Sequence, residues 1–153
     1  MDFILMFGGI VLLILGAMAG LALLVIKLAK MMGGMFRSAS GWEALAKKYP
    51  GPEEAPAATR TGALKVGSVY FRYGPRFCPT PGGLYLVYKS VYSYPPLLIP
   101  WSDFLNPRRT MLFWRAARCM EIGTPAITTL TFTEDIVRWM APYLPAAGDA
   151  AGN

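Results

Sequence analysis

Between Phe3 and Ile26 the chain carries no charge and no proline. Asp2 is the only charge before this run, and Lys27 is the first after it. A bilayer core about 30 Å thick needs roughly 20 helical residues at 1.5 Å each. The run is long enough, with spare length for tilt, and it lacks the polar face of a helix buried in a soluble protein. It contributes to the 54% hydrophobic content of the 153 residues.

Ala17-Met18-Ala19 before Gly20 has the form of a signal-peptide cleavage site. A signal peptide carries positive charge ahead of its apolar region, whereas this one has only Asp2. The apolar run also continues through Leu21, Leu23, Leu24, Val25 and Ile26. A retained single-pass anchor is therefore expected. Lys27, Lys30 and Arg37 follow it, and Lys and Arg stay on the cytoplasmic side. This predicts an inner-membrane protein with its N-terminus outside and its domain in the cytoplasm. Cys78 and Cys119 would then be thiols; in an inverted topology they could pair. Part of the +6 net charge lies beside the span, where basic residues attract anionic lipid headgroups.

The expected organisation is an anchor and juxtamembrane segment over 1–36, a short helix and linker over 37–62, a β domain with a C-terminal helix over 63–145, and a tail over 146–153. Gly33-Gly34 should mark the exit from the first helix. Ser40 and Glu43 have capping-box spacing. Trp42, Leu45, Ala46 and Tyr49 then share one helical face up to Pro50. The segment 51–62 reads as an exposed loop.

From Ala63 the apolar period becomes two. Strands are expected at Leu64–Tyr73, Leu84–Tyr88, Leu97–Trp101, Met111–Met120 and Ala126–Phe132. Gly74-Pro75, Pro79–Gly83 and Asn106-Pro107 read as turns. Leu112, Trp114 and Ala116 should share a buried face, with Arg115 opposite. Trp101 and Trp114 should be mostly buried among Leu86, Ile99, Leu112, Leu130 and Phe132. Thr133 should cap a last helix, with Glu134 and Asp135 at its positive end. Ile136, Val137, Met140 and Leu144 form its apolar stripe, and Pro142 falls near its end. Strands followed by one amphipathic helix make an α+β plan.

The phrases Gly41-Trp42-Glu43-Ala44-Leu45-Ala46-Lys47-Lys48-Tyr49-Pro50, Gly83-Leu84-Tyr85-Leu86 and Pro95-Pro96-Leu97-Leu98-Ile99-Pro100-Trp101-Ser102-Asp103-Phe104 resemble those of uncharacterised bacterial single-pass membrane proteins with a pleckstrin-homology-like cytoplasmic domain. The resemblance implies a small PH-like β barrel closed by a C-terminal helix. It implies no catalytic residues, and function does not follow from fold.

The chain has no histidine, so the commonest general base is missing and no Ser-His-Asp or Cys-His site can be built. Two cysteines do not make a four-ligand zinc site. Asp103, Glu121, Glu134 and Asp135 are scattered, and no Gly-rich phosphate or dinucleotide motif is present. No catalytic residue, metal or cofactor is expected. Cys78, beside Arg76, reads as a small buried filler rather than a reactive thiol. Arg108, Arg109, Arg115 and Arg118, interleaved with Trp101, Phe113 and Trp114, read as a solvated strand face rather than a nucleic-acid site.

Gly9, Gly16 and Gly20 can share one face of the membrane helix, where a second helix could approach closely. Tyr85, Tyr88, Tyr92 and Tyr94, with Arg108 and Arg109, form a candidate interaction surface. The expected function is a non-catalytic accessory or scaffold subunit of a larger membrane complex, its partners being the bilayer and other membrane subunits. The alternative is a membrane-tethered module for lipid headgroups or a peptide. No nucleic-acid partner is expected.

Overall fold

A computed structural model describes residues 2–90 and 94–145; the side chains of 1–7, 10, 33, 34 and 36–38 are not among those described. The expected tail at 146–153 and Tyr92 lie outside the described residues. The chain forms two compact units, Met1–Met35 and Phe36–Asn153.

Helix α1 spans Asp2–Ser40. Within it Val11–Met32, 22 residues, is long and apolar enough to cross a membrane, and none of it is buried. At 1.5 Å per residue those 22 residues measure about 33 Å. Length and composition alone would also suit a signal sequence. The helix does not stop at Gly33-Gly34. A helical glycine costs only about 1 kcal/mol against alanine, and Met31, Met32 and Met35 around it are good helix formers. The end comes at Gly41, whose φ of 78° is the left-handed conformation that closes helices.

Helix α2 (Trp42–Lys48) follows at once and buries Trp42 and Leu45. The Trp42 amide donates to Ser40 Oγ at 3.2 Å. Ser40 therefore helps start α2, but Gly41 rather than Ser40 holds the N-cap position. The Trp42 indole donates to the Pro95 carbonyl at 3.0 Å. Thr128 Oγ1 donates to the Ser40 carbonyl at 3.0 Å. A Cβ at Gly67 would stand 2.8 Å from that same carbonyl oxygen, so only glycine fits there.

The strands are β1 (Arg60–Thr61), β2 (Leu64–Val66), β3 (Val69–Phe71), β4 (Pro75–Thr80), β5 (Gly83–Tyr88), β6 (Leu97–Ile99), β7 (Phe104–Leu112), β8 (Arg115–Ile122) and β9 (Thr128–Thr133). Helix α3 (Glu134–Met140) closes the order. One antiparallel sheet runs β1-β4-β5-β6 and the other β3-β2-β9-β8-β7. The fold is thus α+β, with an N-terminal apolar helix, two antiparallel sheets and a C-terminal helix.

Several boundaries differ from the sequence expectation. The strand expected over Leu64–Tyr73 is a hairpin, because Gly67, at φ 56°, turns the chain between Val66 and Val69. Pro75–Thr80 is a strand rather than the gap between two turns. It pairs with β5 in register from Pro75↔Tyr88 to Thr80↔Gly83. Asn106-Pro107 is not a turn but an irregularity inside β7, where the pairing with β8 slips between Leu105 and Arg108. The strand expected over Met111–Met120 is interrupted, since Phe113 and Trp114 are the turn between β7 and β8.

The core lies between the sheets. Leu64, Val66, Leu84, Leu86, Leu97, Ile99, Ile122, Leu130 and Phe132 are fully buried, with Trp42 and Leu45 from α2 and Met140 from α3. Trp101 is mostly buried, and its indole donates to the Thr80 carbonyl at 2.7 Å. Ile136, Val137 and Met140 bury the expected stripe of α3, and Leu144 is partly buried against the core. Thr133 occupies the N-cap position of α3 but makes no capping bond. Its hydroxyl bonds Asp135, and chiefly for this reason the Asp135 carboxyl lies below its ordinary pKa.

A second, smaller cluster buries Cys78, Tyr85 and Val87 on the other face of β4 and β5, with Leu98 beside it. The chain from Tyr49 to Pro52 covers that region. Leu98 N–H donates to the Tyr49 carbonyl at 3.1 Å, Gly51 N–H to the Pro96 carbonyl at 2.9 Å, and the Tyr85 hydroxyl to the Pro52 carbonyl at 3.1 Å.

Candidate interaction surface

Phe113 and Trp114 join β7 to β8 by the tightest connection a hairpin allows, since Leu112 pairs directly with Arg115. Both turn residues have positive φ, 47° and 63°. Two-residue hairpins need this backbone, and Asn-Gly or Asp-Gly supply it with least strain. Two large aromatics occupy it here. Trp114 is 94% exposed, which corrects the expectation of a buried tryptophan. Strand alternation breaks at the turn, so Leu112 is buried while Trp114 and Ala116 are exposed.

Other unburied aromatics gather beside this tip. Phe113 meets Tyr70 of β3 edge-on, ring centroids 5.7 Å apart. The Arg72 guanidinium lies 5.5 Å from the Phe113 ring and 5.6 Å from that of Tyr73. The Lys65 ammonium lies 4.8 Å from the Tyr70 ring. Tyr70, Tyr73 and Met111 are all exposed. The result is a patch of rings carrying cations on their faces. Contiguous exposed apolar surface of this kind marks contact sites, and cation–π contact of this geometry is attractive.

The basic residues singled out in the sequence divide. Arg108 is ion-paired with Glu121. Arg115 pairs with Asp135 at 3.5 Å and Arg118 with Glu134 at 3.1 Å. Arg109 is exposed, and neither it, Arg72 nor Lys65 has an ion pair among the described residues. The tyrosines divide as well. Tyr85 and Tyr94 are buried, so neither offers exposed surface. Tyr94 packs its ring 5.2 Å from Trp42, and half-buried Tyr88 lies 5.0 Å from Phe71. These are core aromatics. Tyr85 is inside because β5 is covered on both faces, which a pattern of alternation cannot reveal.

Gly9, Gly16 and Gly20 lie on α1, where an added Cβ would meet nothing within 4 Å. Cys78 is buried, and burial raises its thiol pKa. Tyr49 donates to Asp103 Oδ2 at 2.5 Å, and burial first, then this bond, raises its phenol. A cleft of about 470 Å³ lies between β7, β8 and α3, lined by Phe104, Met120, Val137 and Leu144, with the Arg118–Glu134 pair in its wall. Among the described residues no three His, Cys, Asp or Glu side chains come together as a metal site would need. In the sequence, Phe113-Trp114 falls inside a single expected strand, Met111–Met120. The turn is masked because neither residue is a usual turn former. The chain matches no protein-family model, no curated protein and no solved structure.

Proposed function

We propose that this chain is a non-catalytic, membrane-anchored contact module: an accessory or scaffold subunit of a larger membrane assembly. In this reading α1 is retained as a single-pass anchor, and the domain, a PH-like fold, stays on the cytoplasmic face of the inner membrane. The observation that carries it is the exposed ring-and-cation patch around Trp114. A chain that buries Trp42 and Trp101 leaves a third tryptophan 94% exposed on a strained turn. Such aromatics are typical of residues that dominate interfaces. The bare Gly9, Gly16 and Gly20 positions support a second contact, along the span.

Purification of the tagged full chain in gentle detergent, with mass spectrometry of co-purifying proteins, tests the proposal. A stoichiometric larger assembly is the expected result. A chain that leaves native membranes alone, at every detergent strength that keeps it folded, overturns the subunit reading.

A further inference from the structure

The cleft between β7, β8 and α3 combines an apolar wall with an under-used cation. We propose that it is a binding site for a small amphipathic carboxylate, one anionic head on an apolar or aromatic body. The inference stands apart from the contact surface. The cleft takes its β7 residues from Phe104 to Pro107, at the opposite end of that strand from the Phe113-Trp114 turn.

Three observations carry it. The first is size and lining. A volume of about 470 Å³ falls within the roughly 300–1,000 Å³ usual for small-molecule sites, which are mostly apolar with a few polar groups. Phe104, Met120, Val137 and Leu144 supply the apolar wall, while Arg118, Glu134 and Arg138 supply the charge.

The second is charge balance. Two guanidinium groups meet one carboxylate in the lining. Arg138 is exposed and has no ion pair among the described residues. Glu134 engages Arg118 through a single nitrogen, Nη2, at 3.1 Å. The adjacent Nε of Arg118 is buried with no hydrogen-bond partner among the described residues. A full Arg–carboxylate pair uses two parallel N–H bonds, and a buried donor without an acceptor is an exception that needs a reason. The Arg118 side chain as a whole keeps 32% of its surface exposed, so the cation remains reachable. The site is one negative charge short, and the planar head of a carboxylate matches the guanidinium fork.

The third is what the wall excludes. A peptide joins an exposed sheet edge through main-chain bonds. Here β7 borders the cleft at Leu105, Asn106 and Pro107, where its pairing slips and one residue has no N–H to offer. That stretch presents no regular ladder, so the occupant is a discrete small molecule rather than an added strand.

The test uses the full chain in nanodiscs, with carbon-13 at the methionine methyl groups. Met120 lines the cleft and is the reporter; Met111, exposed near the hairpin tip, is the control. The probes are 3-phenylpropionate and its amide. The carboxylate should shift the Met120 methyl signal saturably and leave Met111 in place. The amide should bind about tenfold more weakly, the factor that a hydrogen bond to a charged group is typically worth. Arg138→Gln, a change at an exposed position, should reduce this preference, and adding Arg118→Gln should abolish it. Glu134→Gln should tighten carboxylate binding by removing the resident competitor. A Met120 signal indifferent to both probes overturns the inference, as does equal binding of the acid and the amide. A Met120 shift caused by deleting residues 146–153, with no probe present, would make the chain's own tail the occupant and also overturn it. None of these outcomes bears on co-purifying proteins, so the subunit reading stands or falls separately.

Discussion

Phe113 and Trp114 hold a backbone that L-residues avoid. Left-handed φ costs roughly 1–2 kcal/mol for a residue with a side chain. The ring contact of Phe113 with Tyr70 and its cation contact with Arg72 offset part of that, at about 0.5–1.5 kcal/mol for an aromatic pair. Phe113→Asn with Trp114→Gly should therefore raise the thermal midpoint of the full chain in detergent by a few degrees, equivalent to about 1–2 kcal/mol. Near-UV circular dichroism of the remaining tryptophans reads it. Trp114→Ala alone should stay within about 0.5 kcal/mol of wild type, as exposed positions do. A falling midpoint in the double variant would mean that the ring cluster is worth more than the strain, and the turn would then serve stability. Arg115→Ala should be equally quiet, since its pair with Asp135 is exposed on both sides.

At the scale of elements, α1 invites a direct question about its bare glycines. Gly16→Leu or Gly20→Leu should reduce crosslinking of the span to a neighbouring helix, because the larger side chain holds the two backbones apart. Leu13→Ala should change it less. Unchanged crosslinking in both glycine variants would make these glycines a matter of composition only. The elements also show which parts of the fold were legible. The apolar helix and α3 were, since their signals are long or strongly periodic: Ile136, Val137 and Met140 are buried as spaced. The α2 face was legible for the same reason. The hairpins were read poorly. Gly67 looked like a residue within a strand, and Pro75 and Pro79 hid β4, although strand pairing tolerates proline where no N–H is needed. The contact patch was missed for a related cause. It is assembled from β3 and the β7–β8 turn, which are distant in sequence, and an aromatic turn carries no local signature. Of the tyrosines chosen instead, Tyr85 and Tyr88 lie on β5, where cover on both faces buried Tyr85, and Tyr94 is buried against Trp42.

For the whole molecule, the distribution of charge makes a prediction about sidedness. Lys27, Lys30 and Arg37 follow the apolar run, so on the proposed reading of α1 as a retained anchor the domain should face the cytoplasm. Ala57, exposed in the 51–62 link, is a suitable reporter position. In a chain with Cys78 and Cys119 replaced by alanine, Ala57→Cys should resist an impermeant thiol reagent in intact cells and react once the cells are opened. Ready reaction in intact cells would invert the topology.

The contacts at Ser40 have a structural consequence. The chain enters the domain at the residue whose carbonyl is held by Thr128, two residues before the indole that donates to Pro95. Thr128 begins β9, the middle strand of the five-stranded sheet. That bond therefore ties the last residue of α1 to the central strand of the sheet rather than to an edge strand. Loss of the Thr128 hydroxyl should thus loosen the start of the domain at its middle strand, not at a rim.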